Sequence, residues 1–111
     1  MNRAERKAAA AAYKEQPPVA GVFAVRCAAT GQVWVGVSQR LDKQKNMLWP
    51  SLAQGRYPHR GLQSVFTAQG EASFSFEPLE EMPTDLSAYQ LKSRLKDRAT
   101  YWRETLGAAA I

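Results

Sequence analysis

The chain is poor in cysteine and in long apolar runs. Its one cysteine, Cys27, excludes a disulfide framework and a cysteine-built metal cluster. Cys27 falls in an apolar strand-like run and reads as a small buried hydrophobe rather than a nucleophile. No stretch approaches the roughly 18 apolar residues of a membrane span. Arg3, Arg6 and Lys7 before Ala8 to Ala12 look like the opening of a signal peptide. Alanine is only weakly hydrophobic, however, and Lys14 and Glu15 follow at once, so no signal peptide is expected. These absences make a cytoplasmic location the expectation, with no membrane partner. No internal repeat is visible. Acidic residues are also scarce in the first part of the chain: residues 1–60 hold ten Lys/Arg and three Asp/Glu, whereas residues 61–111 hold five and seven. A basic half beside an acidic half suits a surface that faces a polyanion.

What is present is enough for one compact domain, since 45% of the 111 residues are hydrophobic. Residues 2–15 read as a helix, with Asn2 and Glu5 in capping-box spacing and an alanine run behind them. Pro17-Pro18 ends it. Val19 to Cys27 and Val33 to Val37 read as two strands, joined by a turn at Ala28-Ala29-Thr30-Gly31. A helical pattern follows from Asp42 to Gln54, with Leu41, Leu48 and Leu52 on one side. Pro50 is expected either to break it near Trp49 or to restart it. A helix over Arg60 to Gln69 shows Leu62, Val65 and Phe66 on one face and stops at Gly70. Ser73 to Leu79 alternates as a half-buried strand with Phe74 and Phe76 on one face. A last helix runs from Thr84 or Asp85 to Leu106, with Leu91, Leu95, Trp102 and Leu106 sharing a face.

The resulting order, α-β-β-α-α-β-α, is that of an α+β domain in which helices flank a small three-stranded antiparallel sheet. Residues 1–18 are expected to form a helix and a Pro-Pro linker, 19–107 the domain, and 108–111 a loose tail. The hairpin carries Gly21-Val22-Phe23 on its first strand and Trp34-Val35-Gly36 on its second. Two aromatics beside bare glycine backbone have two readings: core packing of the hairpin, or a platform on which bases stack.

The element order together with these tripeptides resembles the GIY-YIG nuclease superfamily. Thr30-Gly31-Gln32, Gly36-Val37-Ser38, His59 followed by Leu62-Gln63, and Gly70 before Phe74-Ser75-Phe76-Glu77 continue the likeness, which spans roughly 19–106. It implies metal-assisted phosphodiester hydrolysis, with two tyrosines, an arginine and a glutamate that holds a divalent cation. This chain departs from that set. Phe23 and Trp34 stand at the tyrosine positions, and neither has a hydroxyl. Gln44 stands where the arginine is expected, and Ala99 and Arg98 occupy the zone of the glutamate. No metal ligand is therefore assigned, and Mg²⁺ or Mn²⁺ enters only if catalysis survives. His59 is the polar position of the pattern that remains, and it could act as a base near neutral pH.

The resemblance and the charge together imply a nucleic-acid partner, DNA ahead of RNA, held by Arg26, Arg40, Lys43, Lys45, Arg56 and Arg60. The bland alternative for these cations is a solvated face. If the face of Arg26 is covered it needs a partner, and Glu77 is the candidate. Arg94, Lys96, Asp97 and Arg98 read as the wet side of the last helix. Three functions follow. One is a nucleic-acid-binding domain with a degraded nuclease site. Another is a nuclease with a rearranged site built on His59, Lys45 and either Asp97 or Glu77. The third is a protein-interaction module using the alanine-rich helix and the exposed side of the last one.

Overall fold

The computed structural model describes residues 19–111; the helix expected over 2–15 and the Pro-Pro linker lie outside the described residues. Strand β1 (Gly21–Cys27) pairs antiparallel with β2 (Val33–Ser38) and with β3 (Phe74–Glu81). The sheet order is β3-β1-β2-β4. The central place of β1 explains its sequence: it is buried along its whole length except at Arg26, so its apolar run is continuous instead of alternating. Edge strand β3 alternates more and carries Pro78, which cannot donate to a ladder.

Two cores result, one on each face. Phe23, Val25, Cys27, Trp34 and Phe74 point to the face covered by α1 (Leu41–Ala53) and α2 (Arg60–Gln69), where they meet Leu41, Leu48, Leu52, Leu62 and Phe66. Val22, Ala24 and Val35 point the other way and meet Leu95 and Ala99 of α3 (Ala88–Leu106). Helix α2 has the bounds expected of it and stops at Gly70, whose φ of 84° few other residues tolerate. Helix α3 starts later than Thr84 or Asp85. Ser87 accepts from the Gln90 amide, and the Gln90 side chain accepts from the Ser87 amide in return.

Three expectations are corrected. Pro50 neither breaks nor restarts its helix: α1 runs through it to Ala53. A helix-interior proline costs about 3 kcal/mol. Leu48 and Leu52, both buried to within 2%, contribute about 2 kcal/mol each by leaving water, and they sit on either side of it. The tail is not loose, and the sheet is not three antiparallel strands. Gly107, left-handed at φ 62°, reverses the chain after α3. Ala109–Ala110 then forms β4, parallel to β2 beside Trp34 and Val35. The Ile111 amide donates to the Val35 carbonyl at 3.0 Å.

Candidate nucleic-acid interface

The two tripeptides lie side by side, with Phe23 opposite Gly36. Phe23 is 2% exposed and Trp34 3%. The Phe23 ring stacks on Phe76 at 5.0 Å between centroids, and Trp34 stacks on Phe74 at 6.1 Å. Of the two readings of these aromatics, core packing is the one found. No base can reach either ring face, so the stacking platform is absent. The glycines serve this packing. A Cβ on Gly36 would lie 2.7 Å from the tip of Phe23 and 3.1 Å from Ile111 Cγ1, far inside ordinary contact. A Cβ on Gly21 would collide with the Glu80 carbonyl and with Leu41. The bare backbone is filled by the protein's own side chains, with Ile111 folded over Gly36.

Near the end of β2 a neutral polar knot replaces the expected charge. Gln44 Oε1 accepts from the Ser38 hydroxyl at 2.8 Å, and the Ser38 oxygen accepts from the Arg40 amide at 3.0 Å. Ser38 is buried, and the two bonds satisfy its hydroxyl. On α3, Ala99 is buried in the second core. Arg98 does not lie on the wet side as expected. Its Nε–H is shared by both Glu80 oxygens at 2.8 and 3.0 Å, and Trp102 Nε1 donates to Glu80 Oε1 at 3.0 Å. The Arg98 guanidinium also lies 4.3 Å from the Tyr101 ring centroid. Burial raises the Glu80 pKa, but the bonds from Trp102 and Arg98 and the charges of Arg98 and Arg94 outweigh it. The carboxyl is held below its ordinary value. Among the described residues no group of three or more His, Cys, Asp or Glu is placed to hold a metal ion. With an alanine and a paired guanidinium where a carboxylate is expected, this donor set does not fit a divalent cation.

His59 caps α2. Its Nδ1 accepts from the Leu62 amide at 3.1 Å, so Nδ1 carries no proton and the neutral ring holds its hydrogen on Nε2. In that state the ring offers a donor outward. Acting as a base through Nδ1 would break the cap. The other members of the rearranged site are not gathered around it. Lys45 is on α1 beside Trp49, 5.7 Å from that ring's centroid. Glu77 is on β3, bonded to Arg26. Asp97 is on α3, across the sheet.

The six candidate cations divide. Arg26 alternates with Phe23 and Val25 along β1 and so faces the α3 side. There its Nε donates to Glu77 at 2.9 Å, the pairing expected from the sequence. Arg40, Lys43, Lys45, Arg56 and Arg60 all belong to α1, α2 or the segments that bound them. Arg40 Nε lies 3.7 Å from Asp42. Between Gln39 and Gln69 these five cations face a single carboxylate, Asp42. The helix of 13 residues sets Arg40 and Arg56 about 20 Å apart along its axis, with Lys43 and Lys45 between them. The β3 strand and the loop after it carry Glu77, Glu80, Glu81 and Asp85, whereas α3 is mixed, with five Lys/Arg and two Asp/Glu.

Gln63 is an organiser, a role that no sequence motif marks. Its side chain links three segments, accepting from the Tyr57 amide at 3.0 Å and donating to the Leu52 carbonyl at 2.9 Å and to Thr67 Oγ1 at 3.1 Å. A polar residue directly after buried Leu62 on an otherwise apolar stripe was the available signal.

No family model matches the chain, and no curated protein matches it in sequence. Solved structures do. The catalytic domain of homing endonuclease I-TevI superposes with a TM-score of 0.69 at 22% identity, covering 83% of this chain and 97% of that one. A mutant of the catalytic domain of intron endonuclease I-TevI gives 0.66 at 24% identity, covering 80% and 84%. The chain therefore has the GIY-YIG-like α+β fold that the tripeptides led us to expect. No described helix is long and apolar enough to cross a membrane.

Proposed function

We propose that the chain is a nucleic-acid-binding domain built on a nuclease-like fold whose cutting site is degraded, with DNA ahead of RNA as its ligand. The observation that carries this is the pairing of a basic helical layer, five cations to one carboxylate, with a hairpin floor closed by its own aromatic rings. The basic layer can neutralise phosphates and release their counterions, a sequence-independent source of affinity. The floor supplies no chemistry. General-base catalysis is worth about 10²–10⁴ in rate, and one preorganised donor to a developing charge about 3–4 kcal/mol. A chain without both hydroxyls, the guanidinium and the carboxylate has lost several such factors at once. The DNA preference follows the likeness to structures described as endonucleases.

The test has two parts. Binding to a DNA duplex is measured as salt rises, and the expected result is affinity that falls steeply. A flat response, or no binding at low salt, removes the nucleic-acid reading and leaves a protein-interaction module. Incubation with single- and double-stranded DNA in Mg²⁺ or Mn²⁺ is expected to yield no product. Product that disappears in His59→Ala would restore a rearranged nuclease site.

A further inference from the structure

The loop between α1 and α2, residues 54–59, carries Arg56 and leads into Arg60. Its first amides turn back onto the end of α1: Gln54 donates to the Pro50 carbonyl, Gly55 to Leu52 and Arg56 to Ser51, at 3.0, 3.1 and 2.9 Å. These bonds satisfy carbonyls that a helix end leaves without partners. Tyr57 is where the chain leaves α1, and its amide goes to Gln63 Oε1 at 3.0 Å. Pro58 has no amide hydrogen to place. His59 then caps α2.

Gln63 thus supplies the partner that the loop lacks. Its two amide hydrogens are also committed, one to the Leu52 carbonyl and one to Thr67 Oγ1. One neutral side chain joins the end of α1, the loop and the first turns of α2. The chemistry requires a donor and an acceptor at a fixed spacing. A carboxylate would keep the bond from Tyr57 and set a negative oxygen against the Leu52 carbonyl, while an isosteric thioether would lose all three bonds.

We infer that Gln63 is a positioning residue of the basic surface, fixing the Gln54–His59 loop so that Arg56 and Arg60 present their guanidinium groups to one phosphate backbone. This rests on the nucleic-acid reading above. Gln63 has no charge and no uncommitted amide hydrogen, so it contributes no phosphate contact itself. Its removal changes the salt dependence of binding only by moving the arginines.

The experiment measures duplex DNA affinity against salt for the unsubstituted chain, Gln63→Met, Arg56→Ala and the double variant. In Gln63→Met the slope of log affinity against log salt is expected to fall by about two, one for each arginine that Gln63 positions, against about one in Arg56→Ala. The double variant is expected to lose little more than Gln63→Met alone. An unchanged slope in Gln63→Met, or a loss that adds in full to that of Arg56→Ala, would overturn the inference while leaving the nucleic-acid reading intact. No salt-sensitive binding by the unsubstituted chain would overturn both. Hydrogen exchange on the unsubstituted chain gives a check that needs no variant. The Tyr57 amide is expected to be protected as the Arg56 amide is, and exchange at the rate of a free amide would contradict the role assigned to Gln63.

Discussion

On one face of the sheet Phe23, Trp34, Phe66, Phe74 and Phe76 pack ring against ring under α1 and α2. On the other, Val22, Ala24, Val35 and Ala99 pack small against small, so that α3 sits close and is held by the Glu80, Arg98 and Trp102 contacts. The ring face is the one on which the resemblance would place catalysis. Here it has the largest apolar groups and no hydroxyl at the tripeptide positions. The same layer holds five cations and a single carboxylate, Asp42. A domain with this fold can therefore fill the hairpin floor with hydrophobic core and still carry basic residues on the helices that cover it, because core packing and surface charge are set by different residues.

The largest test of this contrast is a truncation in the ring face. Trp34→Ala is expected to lower unfolding free energy by about 3–5 kcal/mol, measured by denaturant titration. A loss below about 1 kcal/mol would mean that the ring is not packed as described. A smaller effect is expected from giving back a hydroxyl. In Phe23→Tyr the new oxygen must enter the space between Gly36 and Ile111, which costs about 1–3 kcal/mol from overpacking and an unpaired polar group. It is expected to add no cleavage. Unchanged stability, or new product in Mg²⁺, would show that the floor is open.

The α3 face offers a pH test. Because the folded-state pKa of Glu80 is depressed, its contribution is present above the ordinary carboxyl value of about 4.3 and is lost as pH falls through the folded value. Glu80→Gln is expected to cost about 1 kcal/mol near neutrality, a difference from the unsubstituted chain that narrows in acid. A gap that stays constant to low pH would mean that the Arg98 and Trp102 contacts do not depend on the ionised carboxyl.

Most of the fold was legible because its signals are local. The phenylalanines of β3 alternate, α2 has Gly70 to stop it, and the hairpin has Gly31 at its turn, with φ 75°. The three features that were not legible are decided by distant contacts. Ala109–Ala110 has no strand propensity of its own and pairs only because Gly107 turns it back onto β2. Pro50 stays in a helix because Leu48 and Leu52 are pinned by the sheet. Arg98 stands at the border of the apolar stripe of α3, and only the position of Glu80 on β3 decides that it is paired. At the candidate site, sequence gave the departures at 23, 34, 44 and 99 directly. Whether aromatic rings face a ligand or a core is a question of what covers them, and here Ile111 and the facing rings do so. His59 likewise reads as a base by composition, and its role as a cap depends on the position of the Leu62 amide.

The most direct measurement compares the two layers by charge. Duplex DNA affinity is followed against salt for a variant with Lys43, Arg56 and Arg60 replaced by alanine, and for another with Lys92 and Lys96 of α3 replaced. The first is expected to lower the slope of log affinity against log salt by about three and the second to leave it nearly unchanged. Equal losses from both layers, or an unchanged slope in the first, would contradict it.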